Sequence, residues 1–263
     1  MYIFRLQLIT ALTLAITFIH SPVFGKELTG HEIAMKMDAV DTSSDSVSRA
    51  VMSITRGKKQ LTRSFITYSK VFDNGKEERS LIKFDKPADI SGVKYLIWSY
   101  DGLEKEDDIW TYLPSESLLR RISGSSRYAS FMRSDLANED IQNYDDVEEY
   151  TYNLLGSEVV DGIDCYILER IPKPEKDTQY SKEKQWVRKD IWLRRKSEFY
   201  DKRDKLLKTA QYEKVENIDG IWTVTRMRLQ TPAKRSETVI DWSELRYNVG
   251  LEDILFEHSR LKR

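Results

Sequence analysis

Cysteine occurs once in the 263 residues, at Cys165, which excludes an intramolecular disulfide framework and any cysteine-rich zinc site. Proline and glycine are sparse, at 6 and 11 residues, so collagen-like, low-complexity and loop-dominated chains are excluded as well. An excess of either charge is also missing. Lys plus Arg number 42 against 43 Asp plus Glu, a net −1, which provides no global pull toward nucleic acid or an acidic membrane surface. Histidine is scarce: His20, His31 and His258 are all there is, near the two ends of the chain, and surface histidines are expected rather than a metal or catalytic pair. HExxH, GxSxG, GxGxxG and phosphate-loop patterns are absent. Cys165 lies in the apolar run Cys165-Tyr166-Ile167-Leu168 and reads as a buried, inert thiol. These absences leave no cofactor, metal or nucleic-acid partner to expect, and little support for an enzyme.

Charge and aromatics are present in quantity. Charged residues make up 32%, above the roughly 25% of ordinary domains, and 6 Trp, 14 Tyr and 9 Phe argue against disorder. Residues 1–25 read as a signal peptide: Arg5 is the positive n-region, Leu6 to Ile19 carries no charge, and Val23 and Gly25 are small residues at a cleavage region. The apolar run is shorter than the about 20 residues that span a bilayer, which sets cleavage above the alternative of an uncleaved anchor. No cysteine lies near the cleavage point, so the expected product is a periplasmic protein and not a lipoprotein. Removing residues 1–25 takes one arginine and no acid, leaving −2.

Beyond residue 25, Thr29 and Glu32 form a capping box, and Ile33, Met37 and Val40 give a helical stripe to about Asp41. The period then changes to two. Strands are predicted over 46–55, 60–72, 77–84, 93–100, 108–113, 118–123, 150–160, 164–171, 185–195, 197–200, 206–215, 221–231 and 237–246. Asp73-Asn74-Gly75, Asp161-Gly162 and Asp219-Gly220 mark hairpin turns. Residues 134–144 suit a short inserted helix, 172–181 a long loop, and 251–263 a last helical turn around Ile254 to Phe256. With no linker-like break, 26–263 reads as one domain. Sequential hairpins favour an antiparallel sheet, which must curl when long. All six tryptophans fall on predicted strands. Few, short helices are expected to cover the concave face and leave an apolar cavity.

The most distinctive stretch is Asp85 to Asp140. It holds Pro87-Ala88-Asp89-Ile90-Ser91-Gly92, Trp98-Ser99-Tyr100, Asp107-Asp108-Ile109-Trp110-Thr111-Tyr112-Leu113-Pro114, Arg120-Arg121-Ile122-Ser123-Gly124-Ser125-Ser126 and Ser130-Phe131-Met132-Arg133-Ser134-Asp135, ending in Glu139-Asp140. This ordered series resembles the outer membrane lipoprotein-sorting proteins, a LolA-like group often encoded beside RND-type exporters. Arg133 stands where that group commonly has glycine. The resemblance implies a mainly β (α+β) fold: a strongly curved antiparallel sheet forming an incomplete β-barrel, with short helices plugging its concave face. It implies a non-enzymatic periplasmic carrier of a lipid, an acyl chain or a lipoprotein, working with an RND-type exporter and touching the membrane transiently. Trp98 and Tyr100 share one strand parity, as do Trp110 and Tyr112; with Phe131 and Met132 they are the expected cavity border, against a bland reading as inter-element core. Arg120, Arg121 and Arg127 are the candidates for a polar rim or lid contact, against a reading as exposed surface arginines. Two rival functions stay open: a periplasmic regulator resembling RseB-like half-barrels, and a hydrolase built on Asp107 and Asp108.

Overall fold

The computed structural model describes residues 27–142 and 147–262; the expected signal peptide lies outside the described residues. One helix, α1 (Gly30–Asp38), precedes thirteen strands: β1 (Asp45–Arg56), β2 (Lys59–Phe72), β3 (Glu77–Lys86), β4 (Lys94–Tyr100), β5 (Asp108–Leu113), β6 (Leu118–Ile122), β7 (Tyr150–Val160), β8 (Ile163–Pro172), β9 (Tyr180–Arg188), β10 (Arg194–Asp201), β11 (Leu206–Ile218), β12 (Ile221–Thr231) and β13 (Ser236–Tyr247). They form a single antiparallel sheet in the order β6-β5-β4-β3-β2-β1-β13-β12-β11-β10-β9-β8-β7. Every neighbouring pair is a sequential hairpin except β1 and β13, whose pairing joins two meanders. The sheet does not close, and its fold is that of an incomplete β-barrel. Its two edges, β6 and β7, are consecutive in the chain, and residues 123–142 of the connection between them fill part of the concave side.

The turns form where residue type permits positive φ. Asp73 and Asn74 sit at 47° and 54°, Asp161-Gly162 at 51° and 79°, and Asp219-Gly220 at 52° and 92°. One turn was not visible in residue type. The run 185–195, read as one strand, is broken between β9 and β10, and Trp192 stands in that turn at φ 60° rather than on a strand. Asp190 accepts from Arg188 Nε at 3.0 Å and Nη2 at 2.7 Å, while Tyr166 stacks on the Trp192 ring at 6.1 Å. A local Arg188–Asp190 pair and a ring partner far along the chain, Tyr166, therefore set a bend that Gly and Pro would ordinarily mark. The expected loop 172–181 is correspondingly shorter, because β9 begins at Tyr180.

The registers assign two faces. Ile122, Ile109 and Ile97 on β6–β4, Phe84 and Phe65 on β3–β2, Met52 and Ile240 on β1 and β13, and Leu229 and Ala210 on β12–β11 point to the concave side. Helix α1 covers the other end of that side, with Ile33 packed on Leu168 and Val187. Its capping box forms as the sequence predicts, Thr29 Oγ1 accepting from Glu32 N at 3.1 Å and Glu32 Oε2 from Thr29 N at 2.7 Å. A β-carbon on Gly30 would lie 2.5 Å from the Tyr152 carbonyl oxygen, so glycine allows the helix to lie against β7. Among the described residues no helix is long and apolar enough to cross a membrane.

Candidate functional site

Residues 123–142 fill the apolar half of the concave side as a plug. The helix expected over 134–144 is instead a set of tight turns, with 3-10 segments at Phe131–Arg133 and Asn138–Ile141 and a bridge between Ser130 and Ala137; residues 143–144 lie outside the described residues. The reason is anchorage. Phe131 is buried against Phe84 and Tyr95, with ring centroids 5.8 and 4.9 Å away. Arg63 Nε donates to the Met132 carbonyl at 2.8 Å, and Tyr95 Oη to the Met132 sulfur at 3.3 Å. From the other meander, Thr238 Oγ1 donates to Asp135 at 2.7 Å, and Ser236 donates to the same carboxylate. Lys208 pairs with Asp140, which also accepts from Tyr180 Oη at 2.7 Å. These fixed points, spaced across six strands, suit an irregular chain better than a helix. Met132 and Arg133 consequently adopt φ of 49° and 67°. Arg133 thus takes a left-handed conformation of the kind that favours glycine. Beside Asp140, burial followed by the neighbouring Asp140 charge raises the Glu139 carboxyl above the usual range.

The plug leaves the polar end of the concave side open. Here the inward residues are hydroxyl-rich: Ser69, Ser80 and Ser99 on β2–β4 and Thr223 on β12. Two cavities share Asp38, Gly75 and Glu78 as walls. One, of about 300 Å³, is lined also by Met35, Ser99, Tyr100, Asp107 and Val147. The other, of about 530 Å³, runs along Met37, Val40, Ser69, Val71, Trp222 and Tyr247. Both fall in or near the size range of small-molecule sites. The expected hollow is present, then, but its lining mixes apolar, hydroxyl and carboxylate groups, because Phe131 and Met132 occupy the apolar half.

The nine residues picked from the sequence do not converge. Phe131 and Met132 belong to the plug. Trp98, Trp110 and Tyr112 lie on the convex face, in a second core with Leu81, Leu96, Phe256 and Leu261. There the C-terminal segment straps over them: Trp98 Nε1 donates to the Phe256 carbonyl at 3.0 Å, Trp98 and Trp110 meet edge-to-face at 4.8 Å, and His258 meets Trp110 at 5.2 Å. The shared parity of each pair is as predicted, but parity does not tell which face curls inward, and here those side chains face outward. Tyr100 alone of the six borders an open cavity, although its side chain shares the outward face of Trp98; its hydroxyl donates to Asp108 at 3.1 Å, and burial together with the Asp108 charge pushes it well above the usual tyrosine range. Arg120 and Arg121 are exposed, Arg121 pairing with Asp108. Arg127 is buried instead, donating to Gln142 Oε1 at 3.1 Å and standing 3.9 Å from Glu106. Asp107 accepts the Tyr100 N–H at 3.0 Å, so both acids of the hydrolase reading are engaged in holding the β4–β5 loop. The residues missed were Arg63, Asp135 and Lys208. Arg63 and Lys208 do carry a signal, a charge at the same parity as buried apolar neighbours Phe65 and Ala210.

A family model described as an uncharacterized protein matches residues 76–263. Among solved structures, a DUF1329 family protein from Desulfovibrio piger is 65% identical, with a TM-score of 0.87 over 88% of this chain and 97% of that one. A domain from Vibrio parahaemolyticus described as an outer membrane lipoprotein-sorting protein is 31% identical, with a TM-score of 0.83 over 89% of this chain and 98% of that one. A LolA superfamily protein from Nitrosomonas europaea, 24% identical with a TM-score of 0.69 over 89% of this chain and 99% of that one, shares the fold. No protein of curated function matches.

Proposed function

Because this chain belongs to the DUF1329 family, we propose that it is a non-enzymatic periplasmic carrier of a lipid, an acyl chain or a lipid-modified protein, working with an RND-type exporter. The observation that supports this most is the pair of adjoining cavities on the concave side, next to an apolar plug that packs against both meanders. The 31% identical Vibrio domain carries a lipoprotein-sorting description, which agrees with it.

Physically, a head group occupies the hydroxyl-rich cavities and an acyl chain extends toward Phe131 and Met132, gaining about 0.8 kcal/mol per buried CH₂. Room for a long chain comes from displacement of the plug. That displacement breaks the Arg63, Asp135 and Lys208 contacts, so release is driven by their re-formation or by a receptor competing for the chain. Tyr100 stands at the cavity edge, and Phe131 and Met132 are what the chain displaces.

Native mass spectrometry of protein purified without detergent tests the reading. Co-purified acyl material supports it; protein that carries none and also fails to bind a fluorescent fatty-acyl probe overturns it. Cross-linking in intact cells tests the partnership, with an RND-type exporter as the expected adduct. Recovery of a membrane anti-sigma regulator instead would replace the carrier by the RseB-like reading.

A further inference from the structure

We infer that one end of the incomplete barrel docks on an anionic lipid surface: the adjoining tips of the β1–β2 and β12–β13 hairpins, with Arg133 of the plug beside them, form a basic face for phosphate-headed lipids. This goes beyond the carrier reading and does not depend on what the cavities hold. The chain as a whole is nearly neutral, so only a local separation of charge can give it such a face. Residues 56–59 read Arg-Gly-Lys-Lys, and residues 232–235 read Pro-Ala-Lys-Arg. Because β1 pairs with β13 as far as Arg56 and Ser236, the two turns lie side by side, and Gly57 N donates to the Arg235 carbonyl at 3.4 Å. Arg133 joins them from the concave side, where Arg63 holds the Met132 carbonyl and Ser236 the Asp135 carboxylate.

Arg56, Lys58, Lys59, Arg133, Lys234 and Arg235 are all exposed, and none has a side-chain hydrogen bond or ion pair among the described residues. Of the nearby acids, Asp89 acts on the buried Arg63, and Glu237 is taken by Arg228 and Gln230. Two of the six cations, Arg133 and Arg235, moreover sit at φ 67° and 49°, in the left-handed region that favours glycine. Charge kept where both mutual repulsion and the backbone oppose it is charge held for a partner. Three turns at the opposite end of the strands, 73–76, 101–107 and 219–220, carry the exposed acids Asp73, Glu104 and Asp219 instead, with Lys76 and Lys105 as their only basic residues. The field therefore runs along the strands and turns the basic end toward a negative surface. Leu61, 39% exposed and two residues beyond Lys59 on β2, sets an apolar side chain among the cations. A lipid interface accepts that side chain beneath its head groups, which favours a membrane over an acidic polypeptide.

Co-sedimentation of protein purified without detergent tests this, using vesicles of phosphatidylcholine alone and of phosphatidylcholine mixed with phosphatidylglycerol. Any contribution of residues 1–25 is common to both. The expected result is binding to the mixed vesicles about tenfold tighter or more, with the gap closing as salt is raised. The double variant Lys58→Gln, Lys234→Gln weakens that binding about fivefold or more, whereas Lys83→Gln, Lys214→Gln, equal in charge but placed on the strands, changes it less than about twofold. Equal binding to the two kinds of vesicle, a gap that salt does not close, or equal losses in the two double variants overturns the inference. So does retention by soluble poly-glutamate as tight as by the vesicles, which would make this a face for acidic polypeptides. Urea midpoints report that the variants fold, and Lys59→Gln, Arg235→Gln takes the place of the first pair should that one not fold.

Discussion

Asp45, at the first position of β1, is 4% exposed, and its carboxylate accepts backbone N–H groups from Val249 (2.7 Å), Gly250 (3.0 Å) and Leu251 (2.9 Å). This side chain takes three backbone donors at the root of the C-terminal strap. Asp45→Ala leaves three donors without their acceptor, and each such loss costs about 1–3 kcal/mol when the group stays buried. Urea unfolding should show destabilisation of that order, with faster amide exchange at residues 249–251 as the local signature. Arg133 offers the opposite case. A left-handed conformation costs a non-glycine residue roughly 1 kcal/mol, so Arg133→Gly should be neutral to slightly stabilising in the same assay, although glycine elsewhere destabilises. Glu213 on the outer face is bonded by Arg228 and Arg226, both nitrogens within 2.9 Å. The Arg228 hydrogen bond, opposed by burial and reinforced by Arg226, holds its carboxyl below the usual glutamate range. A depressed folded-state value means the contribution is present above the unfolded value and lost as pH falls through the folded one. Thermal unfolding of Glu213→Gln should therefore lie below the parent protein at neutral pH and converge with it in acid. At this scale the sequence was readable where a residue's own type decides, as with the buried Cys165. It was not readable where the curl of the sheet decides, as with Trp98 and Trp110.

Elements were legible in proportion to how local their causes are. Helix α1 is announced by Thr29 and Glu32 and ends three residues before the stripe suggested. Strands β5, β7 and β12 begin and end where alternation places them. The β9–β10 turn and the plug were missed because their geometry is imposed by Tyr166 and by Arg63, Thr238 and Lys208, which lie far off in sequence. Two tests belong here. Gly30→Ala puts a β-carbon into the Tyr152 carbonyl, so α1 should lift from β7, read as a lower urea midpoint and faster exchange along residues 30–38. Lys208→Met removes one partner of a buried ion pair and leaves Asp140 uncompensated, a change of the kind that costs about 3–5 kcal/mol. It should loosen the plug, raising exchange across residues 130–142 more than across the strands.

On the scale of the whole molecule, the antiparallel curled sheet and the strongest resemblance were both accessible from residues alone, since hairpin turns and alternation are local signals. What alternation could not supply was the order of the two meanders, and hence that the chain between β6 and β7 fills part of the concave side. The position of the hollow follows from that plug, not from any single motif.

The β1–β13 ladder has a consequence for how the chain reaches this state. It is the single non-sequential pairing in the sheet, matching Ser46 with Tyr247 and Arg56 with Ser236. Hairpins zip in microseconds, whereas closing so long a loop must come later. Until the last strand emerges, β1 keeps a bare hydrogen-bonding rim of the sort that invites misassembly. Refolding should accordingly show a fast phase insensitive to β13 and a slow one abolished by its deletion, and a chain cut before residue 236 should aggregate rather than persist as half a barrel.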